Sequence, residues 1–526
     1  MEVVVGDRVE SVDGARAFAR WTGEVEGRAG TWIGVEWDDE TRGKHDGVVD
    51  GKRLFTCARK SACDGGARTA SLVRPHKIAS SRTFAQAFRA RYARGLDDGE
   101  EAANDMYIRT ERGHKMRVEL CETVEEANVN EEAIRSRLKS MTRVYVDHAR
   151  VSTMGERGEA SAWAGPLRIL GLAGSLFNSW EGVMRIAEEF PSLEALDLSG
   201  IRLPSWSAAG TSTFPKLRVL VLNDANVTWS DVRAISSQVP ELEELYIHGN
   251  RLSCFSVGER EPTAFRKLRT LSIDGNVVSD WDAMEALGRQ LPWLESLYVS
   301  QNLLTEIRPT SAFPSLKTLL VGDNKIRDWS SVDALNSFPL LQEVRLTGNP
   351  VAEAVEMSVR YEIIARVQGL TLLNGSVVSA SERKDCEIRY LRKALQKLKG
   401  FFADAAGQAR VRDEHPRIDA LVARHGDLVT HAASAQGNGT LASVSVELIL
   451  RLEASGQTMT RKLPKSTTVG KVKLLCSKLF KHSVDTADLY LVNDGATDRR
   501  VPLAPDDEPL ARFSPVDGSR IDIVSA

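Results

Sequence analysis

A leucine pattern returning every 22 to 26 residues constrains this chain more than any other feature. The pattern L-x-x-L-x-L-x-x-N-x-L is complete at Leu242, Leu245, Ile247, Asn250 and Leu252. It recurs from Leu268, Leu294, Leu316 and Leu341, with Asn276, Asn302, Asn324 and Asn349 in the asparagine position. Earlier copies start at Leu167, Leu193 and Leu217, where Ser175, Ile201 and Ala225 replace the asparagine, and a fainter one starts at Met141. A unit this short cannot bury its own apolar side. It must stack on its neighbours, so these residues can only fold as a solenoid with one continuous core.

The pattern and its period are those of leucine-rich repeats. Proline stands two positions before the first leucine at Pro191, Pro215, Pro240, Pro292, Pro314 and Pro339. Tryptophan follows that leucine at a nearly fixed distance at Trp180, Trp206, Trp229, Trp281 and Trp329, and Ser230, Asp282 or Ser330 comes next, where an N-cap is expected. Each unit therefore reads as strand, asparagine turn, tryptophan, short convex helix and proline stop. Strand positions between the leucines face the concave side. Those columns hold Tyr145, Asp147, Asp197, Asn223, Tyr246, His248, Asp274, Tyr298 and Arg345. Tyrosines beside carboxylates suit protein recognition, and Tyr246, His248, Asp274 and Tyr298 are the candidate contacts. The plainer alternative for each is a solvated strand position. The array spans residues 136–380, and a cap-like segment from Leu370 leads into a helix-rich stretch, 381–440.

Residues 1–80 have a different texture. Val3 to Val9 reads as a strand, and residues 23–37 alternate glycine with β-branched and aromatic residues, which suits short twisted strands. Gly43 and Gly47 bracket Lys44, His45 and Asp46 in a tight turn. Between Gly51 and Ile78 stand Lys52, Arg53, Arg59, Lys60, Arg68, Arg74 and Lys77 against one acid, Asp64. A groove with aromatic walls and a basic rim would take an acidic peptide with an aromatic end. The order Gly43-Lys44-His45-Asp46-Gly47, with Gly30 to Trp37 and Leu54 to Cys57, resembles the CAP-Gly domain, whose signature GKNDG has asparagine where this chain has His45. The resemblance implies a small all-β barrel that holds an acidic C-terminal tail such as that of α-tubulin, which ends in Glu-Glu-Tyr. It assigns tail binding to Trp32, Trp37, Lys44, His45, Asp46, Phe55 and Arg74. Lys44 would meet a carboxylate, and His45 would replace the asparagine amide. Trp32, Trp37 and Phe55 would form the walls. Trp32 and Phe55 as simple core residues, and Asp46 as a turn cap, are the competing readings. The stretch from Ser61 to Ser71 is longer than the family's usual turn, and Leu72 stands where an aromatic is common.

Val444 to Leu452 alternates like a strand, Gly456 turns it into a second, Thr468 caps a helix carrying Val469, Val472, Leu475 and Leu479, and strands follow near Leu489 and Ile521. This order over residues 441–526 resembles an α+β ubiquitin-like β-grasp domain. No Gly-Gly tail follows, so it reads as an interaction module. Its run from Arg461 to Lys481 contains seven basic residues and no acid, which suits an acidic partner or a solvated helix.

Composition narrows the functional classes. The 526 residues allow three or more domains, and a net charge of −3 provides no global field for nucleic acid. Six scattered cysteines, with no CxxC pair, fit a reducing compartment. Cys57 and Cys63 near His45 and His76 lack a usual zinc spacing, so neither a metal nor another cofactor is expected. No apolar run approaches the roughly 20 residues that span a bilayer, and the amino terminus has no secretory pattern, so a cytoplasmic protein is expected. There is no P-loop, nucleophile elbow or placeable triad, which argues against an enzyme.

CAP-Gly, leucine-rich repeats and a ubiquitin-like domain, in that order, is the layout of the tubulin-folding cofactor E family, which the chain resembles; residues 81–135, read as a helical linker, and about 400–440 fall outside the resemblance. That resemblance implies a chaperone that binds α-tubulin and assembles or disassembles the αβ heterodimer with cofactors B, C and D, in the cytoplasm and on the cytoskeleton. It adds the proteasome as a candidate partner of the ubiquitin-like domain. A CAP-Gly microtubule scaffold and a ubiquitin–proteasome adaptor are the alternatives.

Overall fold

The computed structural model describes residues 3–57, 68–93, 107–109, 115–117, 131–206, 212–255, 265–353, 356–401, 404–426, 445–465, 467–480, 488–492, 500–506, 508–513, 515 and 518–524. Cys63, Arg59, Lys60, Asp64, Cys121 and much of the 81–135 linker lie outside these residues.

The amino-terminal module is a five-stranded antiparallel sheet in the order β6-β3-β2-β1-β7, built from β1 (Arg8–Ser11), β2 (Arg16–Val25), β3 (Arg28–Trp37), β6 (Ala70–Val73) and β7 (Ile78–Ala79). A short hairpin of β4 (Val48–Val49) and β5 (Lys52–Arg53) follows the Gly43–Gly47 turn. Strand alternation sends Val9, Ala17, Ala19, Ile33, Val35 and Trp37 into one core. The other face holds Arg8, Phe18 and Glu36, which lie side by side in the register of β1, β2 and β3.

The array is one parallel sheet in which Val144, Leu170, Leu196, Leu220, Leu245, Leu271, Leu297, Leu319 and Val344 stand in register. Buried asparagines stitch each coil to the one before. The Asn302 carboxamide donates to the carbonyls of Ile273 (3.0 Å), Val299 (3.2 Å) and Ser300 (3.1 Å) and accepts from the Val278 N–H (3.0 Å). The tryptophans fill the convex side as expected, but the caps fall elsewhere. Convex helices Trp180–Glu189, Trp229–Ile235, Trp281–Gln290 and Trp329–Ala334 begin at the tryptophan itself. The N-cap is therefore the residue before it, and Ser179, Thr228 and Asp280 accept from first-turn N–H groups. Ser230, Asp282 and Ser330 are already inside the helix.

Both open ends of the array core are closed. At the start, β8 (Arg82–Thr83) leads into α1 (Phe84–Tyr92), whose Phe84 packs edge-on to Phe190 at 5.4 Å. The Tyr92 hydroxyl accepts from the Tyr145 N–H (3.0 Å) and donates to its carbonyl (3.1 Å), satisfying the edge strand that no repeat precedes. The segment expected as a helical linker also contains β8, which pairs with Val151–Thr153, and a hairpin of Tyr107–Arg109 with Lys115–Arg117. At the far end, Leu372–Leu373 adds a last parallel strand and turns back through Ser376–Val377. Behind it Arg366 is almost fully buried, bonded to Asp333 (2.7 Å) and Glu362 (3.2 Å) and lying 4.9 Å over Trp329.

The carboxy-terminal module is a β-grasp: Ser445–Leu452 and Thr458–Pro464 form a hairpin, helix Val469–Phe480 crosses it, and Arg520–Val524 returns parallel to the first strand. Cys476 sits in its core, where burial pushes the thiol pKa up to about 12 and leaves it unreactive. No helix among the described residues is long and apolar enough to cross a membrane.

Candidate functional site

The Gly43–Gly47 turn is shaped by backbone contact. A Cβ on Gly43 would sit 1.7 Å from the Arg68 carbonyl oxygen, and Gly47 takes φ +97° with the Phe55 carbonyl just behind it, so neither position accepts a side chain. His45 pairs with Ala70 through both its backbone groups (3.1 and 2.9 Å), which hangs the turn from the edge of β6. Lys44 is exposed on this turn, its N–H bonded to the Ala70 carbonyl of β6 (2.7 Å).

The outer face of β3 is an aromatic floor. Phe55 lies flat on Gly34, where a Cβ would meet its ring at 2.3 Å. Trp32 is half-buried one step along the strand, with the Arg74 guanidinium 3.7 Å above its ring and Arg28 at 5.9 Å. Its indole Nε1–H is buried and unpaired. Trp21, which the sequence analysis did not single out, lies across Gly23 beside Trp32. A register shift in β2 between Ala19 and Trp21 carries it out of the core phase that strict alternation would give.

Among the seven expected groove residues, Trp32 and Arg74 meet on the outer face of β3, Phe55 packs on Gly34 of that face but is only 7% exposed, as its core reading has it, and Lys44 is exposed on the turn. Two others brace the turn. The His45 ring accepts from the Gly47 N–H at Nδ1 (3.1 Å) and meets Phe55 edge-on at 6.0 Å. Burial holds its pKa below the ordinary value, so the ring is the neutral Nε2–H tautomer, with that nitrogen also buried and unpaired. Asp46 caps the turn through the Val48 N–H (3.3 Å) and pairs with Arg53 (3.0 Å), which lowers its pKa. Trp37 is the correction. It lies on the opposite face of β3, 4% exposed in the module core, and cannot line the groove.

On the array, Tyr246 and Tyr298 occupy the same column two strands apart, with Ser272 between them, but Tyr298 is buried, 7% exposed, and so offers little contact surface on the concave face. His248 and Asp274 fall in the adjoining column. The Tyr246 hydroxyl donates to Glu244 (2.7 Å). Asp274 is engaged locally, accepting from the Ser300 N–H and the Ser272 hydroxyl, so it shapes the face more than it offers a free carboxylate. Nearer the start of the array, burial and the neighbouring Asp197 push the Asp147 pKa up to about 6, while an N–H bond from Ala173 pulls it back. Along the strand entrances charges alternate: Arg168 with Glu194 and Arg218 with Glu243, each at 2.7 Å, then Arg269 and Lys317 sharing Glu295.

Comparison with known proteins bears on the whole chain. A family model described as the CAP-Gly domain matches residues 5–78. Tubulin-folding cofactor E of Arabidopsis thaliana is 34% identical, over 96% of this chain and 94% of its own length. Tubulin-specific chaperone E of Mus musculus is 32% identical, over 98% and 97%. The chain belongs to the tubulin-specific chaperone E family. Among solved structures, the C-terminal ubiquitin-like domain of mouse tubulin-specific chaperone E is 28% identical over 16% of this chain and 88% of that one, with a TM-score of 0.15. In this family member the glycines of the signature are fixed by backbone contact, and His45, where the CAP-Gly signature has asparagine, holds the turn against Gly47 and Phe55.

Proposed function

We propose that this protein is an α-tubulin chaperone that captures the acidic tail of α-tubulin in the groove and grips the folded body on the concave face. The observation that carries this reading is the Arg74 guanidinium stacked on half-buried Trp32, with Lys44 exposed on the turn hung from β6. Together they offer cations for carboxylates and an apolar surface for an aromatic end. Each site alone need only be weak, because joining them raises avidity through effective concentration. The chain would act without catalysis, in the cytoplasm, with cofactors B, C and D in assembling and dismantling the αβ heterodimer. The ubiquitin-like domain is the candidate contact for the proteasome or another cofactor.

The test is binding of intact α-tubulin against α-tubulin lacking its last residues. Truncation is expected to weaken binding, and Lys44→Ala to weaken tail-peptide binding about fivefold, the order of one solvent-exposed charge contact. Equal binding of both tubulins would remove the groove from the mechanism.

A further inference from the structure

The outer face of the amino-terminal sheet carries a dense charge network that is not solvated. Arg8 is fully buried, bonded to both Asp38 oxygens at 2.7 Å, and its guanidinium lies 4.5 Å over Phe18. Arg20 pairs with buried Glu36 (2.7 Å). Arg16 pairs with Glu10 (3.3 Å) and is only 18% exposed. Such a face would be open to water in an isolated module. Here the repeat array completes it. Arg16 reaches His148 Nδ1 at 2.6 Å, and its guanidinium lies in a notch over Gly174, where a Cβ would approach it to 2.4 Å. Asp38, shared with Arg8, also faces Arg202 (3.8 Å), Glu40 faces Arg251 (3.6 Å), and the Asn178 amide donates to the Gly6 carbonyl (3.4 Å). These array residues follow the ridge of left-handed turns after the concave strands, on which His148, Gly174 and Gly200 hold equivalent places at φ +55°, +67° and +69°.

The same outer face continues along β3 from Glu36 through Gly34 to Trp32, so docking surface and aromatic groove share one sheet face. From the docking contact at Asp38 to Trp32 is six residue steps, about 20 Å. We propose that the module is pinned to the array by Arg16, so that the groove and the array form one composite receptor for a partner whose acidic chain end lies close to its folded body. This rests on the tail-capture reading. A tether of about six to seven extended residues covers the gap, so a short acidic tail on a folded subunit fits, whereas a free acidic peptide engages only the groove.

The experiment uses the full-length chain and Arg16→Ala, with Arg202→Ala as a second variant altered on the array side. Three quantities are read: affinity for an acidic peptide ending in Glu-Glu-Tyr, affinity for intact α-tubulin within the αβ dimer, and hydrogen exchange of the array amides around Gly174 and Gly200. The expected result is peptide affinity within twofold of wild type, intact tubulin bound at least tenfold more weakly, and faster exchange along the ridge. Unchanged tubulin affinity in both variants overturns the composite receptor. Peptide that fails to bind the wild type defeats the tail reading instead, and docking is then judged by exchange, where no change on Arg16→Ala overturns it.

Discussion

Replacing Asn302 by alanine tests what holds successive coils in register. The side chain is buried, and its loss removes four hydrogen bonds to four different residues. A buried neutral hydrogen bond contributes about 1 kcal/mol net, and an orphaned donor such as the Val278 N–H costs about 1–3 kcal/mol. The three carbonyls keep other lone pairs, so the expected loss is about 3 kcal/mol rather than the full sum. Coils contact mainly their neighbours, so the damage should centre on this repeat and the two beside it. Tryptophan fluorescence is the assay of choice, because the last of the ten tryptophans is Trp329 and the carboxy-terminal module is silent. With a denaturant slope of about 3 kcal/mol per molar urea, the midpoint of the array transition should fall by about 1 M. Asn302→Ser should fall less, because Ser175 occupies the equivalent place in an early coil and donates to the Leu172 carbonyl at 2.6 Å. A midpoint shift below about 0.2 M for the alanine variant, or a serine variant no better than alanine, would refute the ladder as the element that sets register.

Gly43→Ala should abolish tail-peptide binding while leaving the array transition in place, since its Cβ would collide with the Arg68 backbone and displace the turn; peptide titration with the urea transition as control measures this. Docking of the amino-terminal module should weaken on acidification. Burial first, then Arg16, holds the His148 pKa below its ordinary 6.5, with Glu10 and Asp197 opposing. A depressed pKa favours the docked state above about pH 6.5, and that advantage is lost as pH falls towards the docked value. Protection of the Gly174 ridge amides, their exchange rates taken relative to the intrinsic rate at each pH, should therefore fall between pH 7.5 and 5.5 in the wild type and less so in His148→Ala. Arg366→Ala should destabilise the array end by about 2–3 kcal/mol, because it removes its buried charge-assisted bonds to Glu362 and Asp333 and its packing over Trp329; a urea midpoint within 0.2 M of wild type would contradict this.

What was legible in the sequence follows from periodicity. The leucine phase set every array strand, because a parallel solenoid repeats the same side-chain demand in each coil. The asparagines could be recognised for the same reason. The capping residue was misplaced after the tryptophan because the sequence shows the two polar neighbours but not which one has extended backbone; Thr228 and Asp280 do, at φ −93° and −111°. Lys44, Phe55, Trp32 and Arg74 are named by the signature and the basic run, and of these the structure stacks Arg74 on Trp32. Trp37 falls in the core and Trp21 on the outer face; the register shift in β2 explains Trp21, and nothing local marks which face of β3 Trp37 takes.

The sequence alone thus determined three modules, their order, and the glycine-bracketed turn with its basic run, since each depends on contacts within a few tens of residues. Only the tertiary structure decided that the sheet face bearing the groove also presses on the repeats. Arg16 and His148 are 132 positions apart, and a charged, alternating strand looks the same in sequence whether water or another module neutralises it. Burial is a property of the assembled chain, and here it converts a solvated-looking strand face into an interface.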